Sequence, residues 1–146
     1  MSAAIATTGY SGTPLPQKLG LKDVQRVLWI SLPKELKDLR KSRNFVEIAE
    51  AGWDSFTDGD PGYDVIHGFT ASRAVLEKSA KKLMKQIDRD GTIWVSWPKK
   101  ASKVETDITE DVIREIVLPI GLVDVKVAAV SEIWSGLKLV IRKELR

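Results

Sequence analysis

The chain has 146 residues, 43% hydrophobic and 29% charged, with 23 basic and 20 acidic side chains and a net charge of +3. That length suits one domain with a core that buries most of its apolar surface. The lack of cysteine excludes disulfides, thiol redox chemistry and cysteine metal sites, and the single histidine, His67, argues against a histidine metal site or a serine–histidine relay.

Residues 1–18 are small and polar, and Gly9, Gly12, Pro14 and Pro16 punctuate them against regular structure. They read as an extended N-terminal arm with Tyr10 and Leu15 as candidate anchors, leaving residues 19–146 as a single α/β domain. The start has neither the basic region nor the long apolar region of an export signal. No apolar run approaches the roughly 18–20 residues needed to span a bilayer. The expectation is a soluble cytoplasmic protein that does not contact membranes.

Residues 25–31 are an apolar, β-rich run, ended by Leu32 and Pro33, and predict a first strand. Pro33 suits the first turn of a helix, and Leu36 and Leu39 give residues 34–42 one apolar side under a basic outer face. Residues 44–49 predict a second strand. Residues 52–62 hold three glycines, a proline and three aspartates, so they predict a loop, pinned to the body by Trp53 and Phe56. Residues 63–69 predict a third strand. In residues 72–88, Leu76, Ala80, Leu83, Met84 and Ile87 share one helical face, and Ser72 or Thr70 is placed to cap it. Asp90 and Gly91 predict a turn into a fourth strand, residues 92–97. Asp107 or Thr109 caps a further helix whose stripe is Val112, Ile113, Ile116, Val117 and Ile120. Residues 123–134 and 137–142 predict a final antiparallel pair, with Ser135 and Gly136 as its two-residue connection.

Alternating strands and helices with continuous apolar strands predict a three-layer α/β domain with a mostly parallel sheet, closed by an antiparallel hairpin. This layout resembles the class I methyltransferase-like Rossmann fold. Leu19-Gly20-Leu21-Lys22 before Arg26-Val27-Leu28 looks like the lead-in to that fold's first strand, and Tyr63-Asp64-Val65-Ile66 looks like its fourth. Asp90-Gly91-Thr92-Ile93 resembles the turn into its fifth, and the hairpin its sixth and seventh. The resemblance implies a truncated version, with the family's third strand missing between Glu50 and Tyr63, six strands in all and the hairpin at one edge. Gly-Tyr-Ser-Gly-Thr-Pro-Leu, Trp-Pro-Lys-Lys-Ala-Ser, Thr-Asp-Ile-Thr-Glu-Asp and Trp-Ser-Gly-Leu are also similar to segments of a family of small bacterial proteins of unknown function. That likeness implies a fold and a bacterial cytoplasmic setting; the family has no assigned activity to carry over.

A methyltransferase needs glycines in the turn after its first strand, so that the backbone can approach S-adenosylmethionine. Here the turn is Ile30-Ser31-Leu32-Pro33. The expectation is therefore a non-catalytic domain with no cofactor. A divergent S-adenosylmethionine-dependent methyltransferase is the alternative, with Glu47 or Glu50 at the place where the fold holds the ribose. In an open parallel sheet, ligands bind outside the carboxyl ends of the strands. Ser31, Thr70, Ser72, Arg73, Trp97, Lys99, Lys100, Ser102, Trp134 and Ser135 fall on that edge as a basic, tryptophan-walled rim, with Lys103 beside it. Such a rim suits a small anionic ligand or an acidic protein segment. Nucleic-acid binding through Lys34, Lys37, Arg40, Lys41 and Arg43 is a second alternative, opposed by the expectation that helices cover both sheet faces. A homodimer through a sheet edge or the arm is compatible with the sequence. Asp54, Asp58, Asp60 and Asp64 do not match a calcium loop, which would need its glutamate at the twelfth position.

Overall fold

The computed structural model describes residues 12–146. Tyr10 and the rest of residues 1–11 lie outside the described part. Leu15–Lys18 forms one helical turn, α1, where an extended arm was expected, because buried Leu15 and Leu19 tie it to the sheet. The strands are β1 (Arg26–Ile30), β2 (Glu47–Ala51), β3 (Tyr63–Phe69), β4 (Ile87–Pro98), β5 (Leu122–Ala129) and β6 (Trp134–Ile141). Two longer helices are α2 (Arg73–Gln86) and α3 (Glu110–Val117), while Lys34–Lys41 is wound as a tighter 3₁₀ helix.

The six strands form one sheet in the order β2-β1-β3-β4-β6-β5. β2, β1, β3 and β4 run parallel, and β6 is antiparallel to both β4 and β5. This is the expected α/β sheet of six strands, with the hairpin at one edge.

The two sheet faces are covered differently. Leu76 and Leu83 of α2 and Ile113 and Val117 of α3 close over Leu28, Ile30, Ile66, Ile93 and Val95. On the opposite face Val27, Trp29, Val65 and Trp94 meet Leu15, Leu19, Leu36 and Leu39. Among the described residues that face carries α1 and the 3₁₀ segment, not the full helical layer expected. Trp94 is fully buried and donates its indole N–H to the carbonyl of Leu19 at 3.0 Å, which fixes α1 to the middle of the sheet.

Two turns differ from expectation. β4 already begins at Ile87, where Tyr63 pairs with Ile87 and Val65 with Thr92. Residues 88–91 are therefore a bulge within β4, not a turn before it. The hairpin turn comes earlier than Ser135 and Gly136, which both pair within β6. Ser131 makes it instead, its hydroxyl accepting from the amides of Ile133 and Trp134. No helix among the described residues is long and apolar enough to cross a membrane.

Candidate functional site

The carboxyl ends of β1, β3 and β4 and the hairpin end of β6 lie along one edge. The first strand hands over to Ser31, which is exposed and sits in the left-handed region at φ 56°. A glycine occupies that conformation without strain, whereas a serine does so rarely. The Ser31 amide donates to the carbonyl of Ala51 at 2.9 Å, Leu32 turns into the core, and Pro33 has no N–H. The turn thus keeps one backbone feature of a glycine loop and lacks its bare backbone.

Trp53, from the segment between β2 and β3, covers the neighbouring ground. Its indole N–H donates to the carbonyl of Phe69 at 2.8 Å. Its ring lies on Gly68, so close that a Cβ there would stand 2.6 Å from Cη2. Gly68 is the register partner of Ile30, the residue before Ser31. The sequence placed Trp53 as a loop anchor; its seat beside the first-strand turn needed the register of β1 and β3. The glycine at position 68 is the one signal that could have suggested it.

The second-strand acids are engaged. Glu47 pairs with Arg26 at 2.6 Å, and Glu50 with Lys37 at 2.6 Å and Arg40 at 2.7 Å. Hydrogen bonds from Lys37, and then Arg40, hold the Glu50 carboxyl below its ordinary range against the opposing effect of partial burial. Glu50 stands one residue before Ala51, the last residue of β2, so the acid expected near the strand end is present and ion-paired. At this edge the first-strand turn thus has Ser31 where the fold expects glycine, and both second-strand glutamates are ion-paired.

The rim residues divide into three groups. Thr70, Ser72 and Arg73 build the start of α2: the Ser72 hydroxyl accepts from the Val75 amide at 3.3 Å, and Thr70 Oγ1 accepts from the Ser72 amide at 3.1 Å. Arg73 turns away, to Glu77 at 3.1 Å and Glu115 at 3.4 Å. Trp97 is buried and paired with Ser135, while Trp134 is half-buried and packs edge-on against Phe69 with ring centres 5.3 Å apart. Lys100–Ser102 forms a short 3₁₀ turn just after β4, preceded by Lys99, whose amide donates to the Ile133 carbonyl at 2.7 Å and ties the turn to the hairpin. The Ser102 hydroxyl donates to the Lys99 carbonyl at 2.6 Å. Lys99 is thus held beside the hairpin turn, and neither Lys99 nor Lys100 forms an ion pair among the described residues, whereas Arg73 is paired with Glu77 and Glu115.

His67 is buried in β3, with Nε2 2.7 Å from the hydroxyl of Ser96 and its ring stacked on Phe69 at 4.2 Å. Burial pushes its pKa down to about 3, so the ring is neutral at physiological pH. It is a satisfied core histidine. Among the described residues there is no group of three or more His, Asp or Glu side chains placed to hold a metal ion.

Comparison with solved structures places this arrangement. A SAM-dependent methyltransferase from Aquifex aeolicus superposes with TM-score 0.66 at 13% identity, over 86% of each chain. The fold is the class I methyltransferase-like Rossmann fold. Aeropyrum pernix fibrillarin, in complex with S-adenosyl-L-methionine, matches with TM-score 0.54 at 14% identity, over 94% of this chain and 73% of its own. A putative methyltransferase from Thermoplasma acidophilum matches with TM-score 0.56 at 7% identity, over 94% of this chain and 77% of its own. No family model and no curated protein matches the chain. At these identities the likeness carries the fold, and function is argued from the edge residues.

Proposed function

We propose that this chain is a binding domain on a methyltransferase-like fold, holding a small anionic ligand or an acidic protein segment at the carboxyl edge of its sheet without transferring a methyl group. The observation that carries this is the state of the first-strand turn: Ser31 in place of a glycine, Pro33 behind it, Trp53 seated on Gly68 beside it, and both second-strand glutamates paired. Lys99 and Lys100, directly after the β4 residue that pairs with Trp134, supply the positive charge of the edge. In a thermal-shift series with small anions, the Lys99→Ala/Lys100→Ala double variant keeps the unliganded melting temperature and loses the ligand-induced rise. A rise equal to that of the unaltered protein would contradict this use of the rim.

S-adenosylmethionine-dependent methyl transfer is the second reading, favoured by the methyltransferases among the structural neighbours, one of them carrying the cofactor. Those neighbours back it better than they back a binding domain. The local residues weigh the other way, and we give them more weight, because the shared fold hosts unrelated functions while cofactor binding depends on the turn. Saturable S-adenosylmethionine binding would decide for the second reading.

A further inference from the structure

Beside the rim, on the thinly covered face, five lysines converge from separate parts of the chain. Lys126 on β5 and Lys138 on β6 are register partners across the hairpin, so two like charges stand directly opposite each other. That arrangement is destabilising by itself. Lys18, at the end of α1, reaches over to donate its ammonium to the carbonyl of Ala129 at 3.1 Å. Lys18 and Lys126 line a cleft of about 460 Å³, together with Thr13, Gln17 and residues 127–129 of β5. Burial, then the charges of Lys99 and Lys126, lowers the pKa of Lys18, and burial, then Lys126 and Lys22, lowers that of Lys138.

Counter-charge is missing. None of Lys18, Lys22, Lys99, Lys126 and Lys138 forms an ion pair among the described residues. Asp124, the nearest acid on β5, is taken by Arg114 at 2.9 Å. Glu132 in the hairpin turn is exposed and likewise unpaired among the described residues. The first acidic residue of the chain is Asp23, so residues 1–11 contain no carboxylate to supply. A cleft of this volume is of the size that takes a small molecule, at the low end of about 300–1,000 Å³.

We infer that the cleft between α1 and β5 is a binding site for a small ligand carrying two or more linked phosphate groups, held by Lys18 and Lys126 with Lys99, Lys22 and Lys138 completing the field. The site shares Lys99 with the rim proposed above and otherwise stands on its own residues. Linked phosphates match it better than a single anion, because the ammonium groups come from α1, β5 and β6 and require a ligand that presents several charges at once.

The test is calorimetry of the full chain with phosphate, pyrophosphate and tripolyphosphate, and with a single-stranded oligonucleotide for comparison. Affinity is expected to rise along the phosphate series and to weaken as sodium chloride is added. Lys126→Gln and Lys18→Gln should each weaken tripolyphosphate at least about ten-fold, while Lys78→Gln on α2 leaves it unchanged. Lys126→Gln removes a repulsion, so its melting temperature should stay level or rise, which separates lost binding from lost folding. Lys100→Ala belongs to the rim alone and reports on that reading separately. Equal affinity in the unaltered protein and Lys126→Gln would overturn the cleft, and so would tighter binding of the oligonucleotide than of tripolyphosphate.

Discussion

Trp53 rests on Gly68. A Cβ at position 68 would lie 2.6 Å from Cη2 and 2.7 Å from Cζ2 of the indole, closer than packed carbon atoms approach. Gly68→Ala must therefore push Trp53 off the end of β3 and break its hydrogen bond to Phe69. The expected cost is about 1–3 kcal/mol, typical of overpacking. Denaturant unfolding measures it. In a Trp53→Ala background the same substitution should cost much less, since the two residues are in contact and their effects do not add.

The buried pair of His67 and Ser96 makes stability depend on pH. The native pKa of about 3 lies below the ordinary value of 6.5, so between those values the unfolded chain binds a proton that the native ring refuses. Stability contributed by this group is complete above about 6.5 and is lost as pH falls toward 3, at about 1.4 kcal/mol per pH unit. Urea unfolding at about pH 7.5 and pH 5 should differ by about 2 kcal/mol from this group. His67→Gln should show a smaller difference between the two pH values; an unchanged difference would mean that the ring titrates normally.

Ser72 caps α2. Its hydroxyl accepts from the Val75 amide, so Ser72→Ala should lower stability by about 1 kcal/mol. Anion binding at the rim should be unaffected. Ligand affinity that falls with the hydroxyl while stability holds would return Ser72 to the binding site.

Much of this fold was legible because its signals are local. The apolar runs of β1 and β3, the stripe of Leu76, Ala80 and Leu83, and the caps Ser72 and Thr109 each follow from short-range chemistry. The errors came where one residue type has two physical uses. Gly136 looked like a turn glycine next to Ser135, yet it is a packing glycine: a Cβ there would lie 3.0 Å from Val130 and 3.2 Å from Trp94. Gly91 likewise sits in the β4 bulge, against Ile87 and the carbonyl of Asp64, and not in a turn before the strand. The rim was read as one basic edge because order along the chain places residues at strand ends but does not say which carboxylate each cation meets. Arg73 finds Glu77 and Glu115. The lysine cleft was invisible for a related reason. Lys18, Lys99, Lys126 and Lys138 are far apart in sequence, and only the hairpin register and the docking of α1 bring them together.

The reading of the first-strand turn is tested most directly by isothermal titration of the full chain with S-adenosylmethionine and S-adenosylhomocysteine. With Ser31, Pro33 and the Trp53–Gly68 contact in place, no saturable heat should appear for either compound up to about millimolar concentration, where binding energies fall to roughly 4 kcal/mol. Saturable micromolar binding of both would contradict the account and establish the edge as a cofactor site.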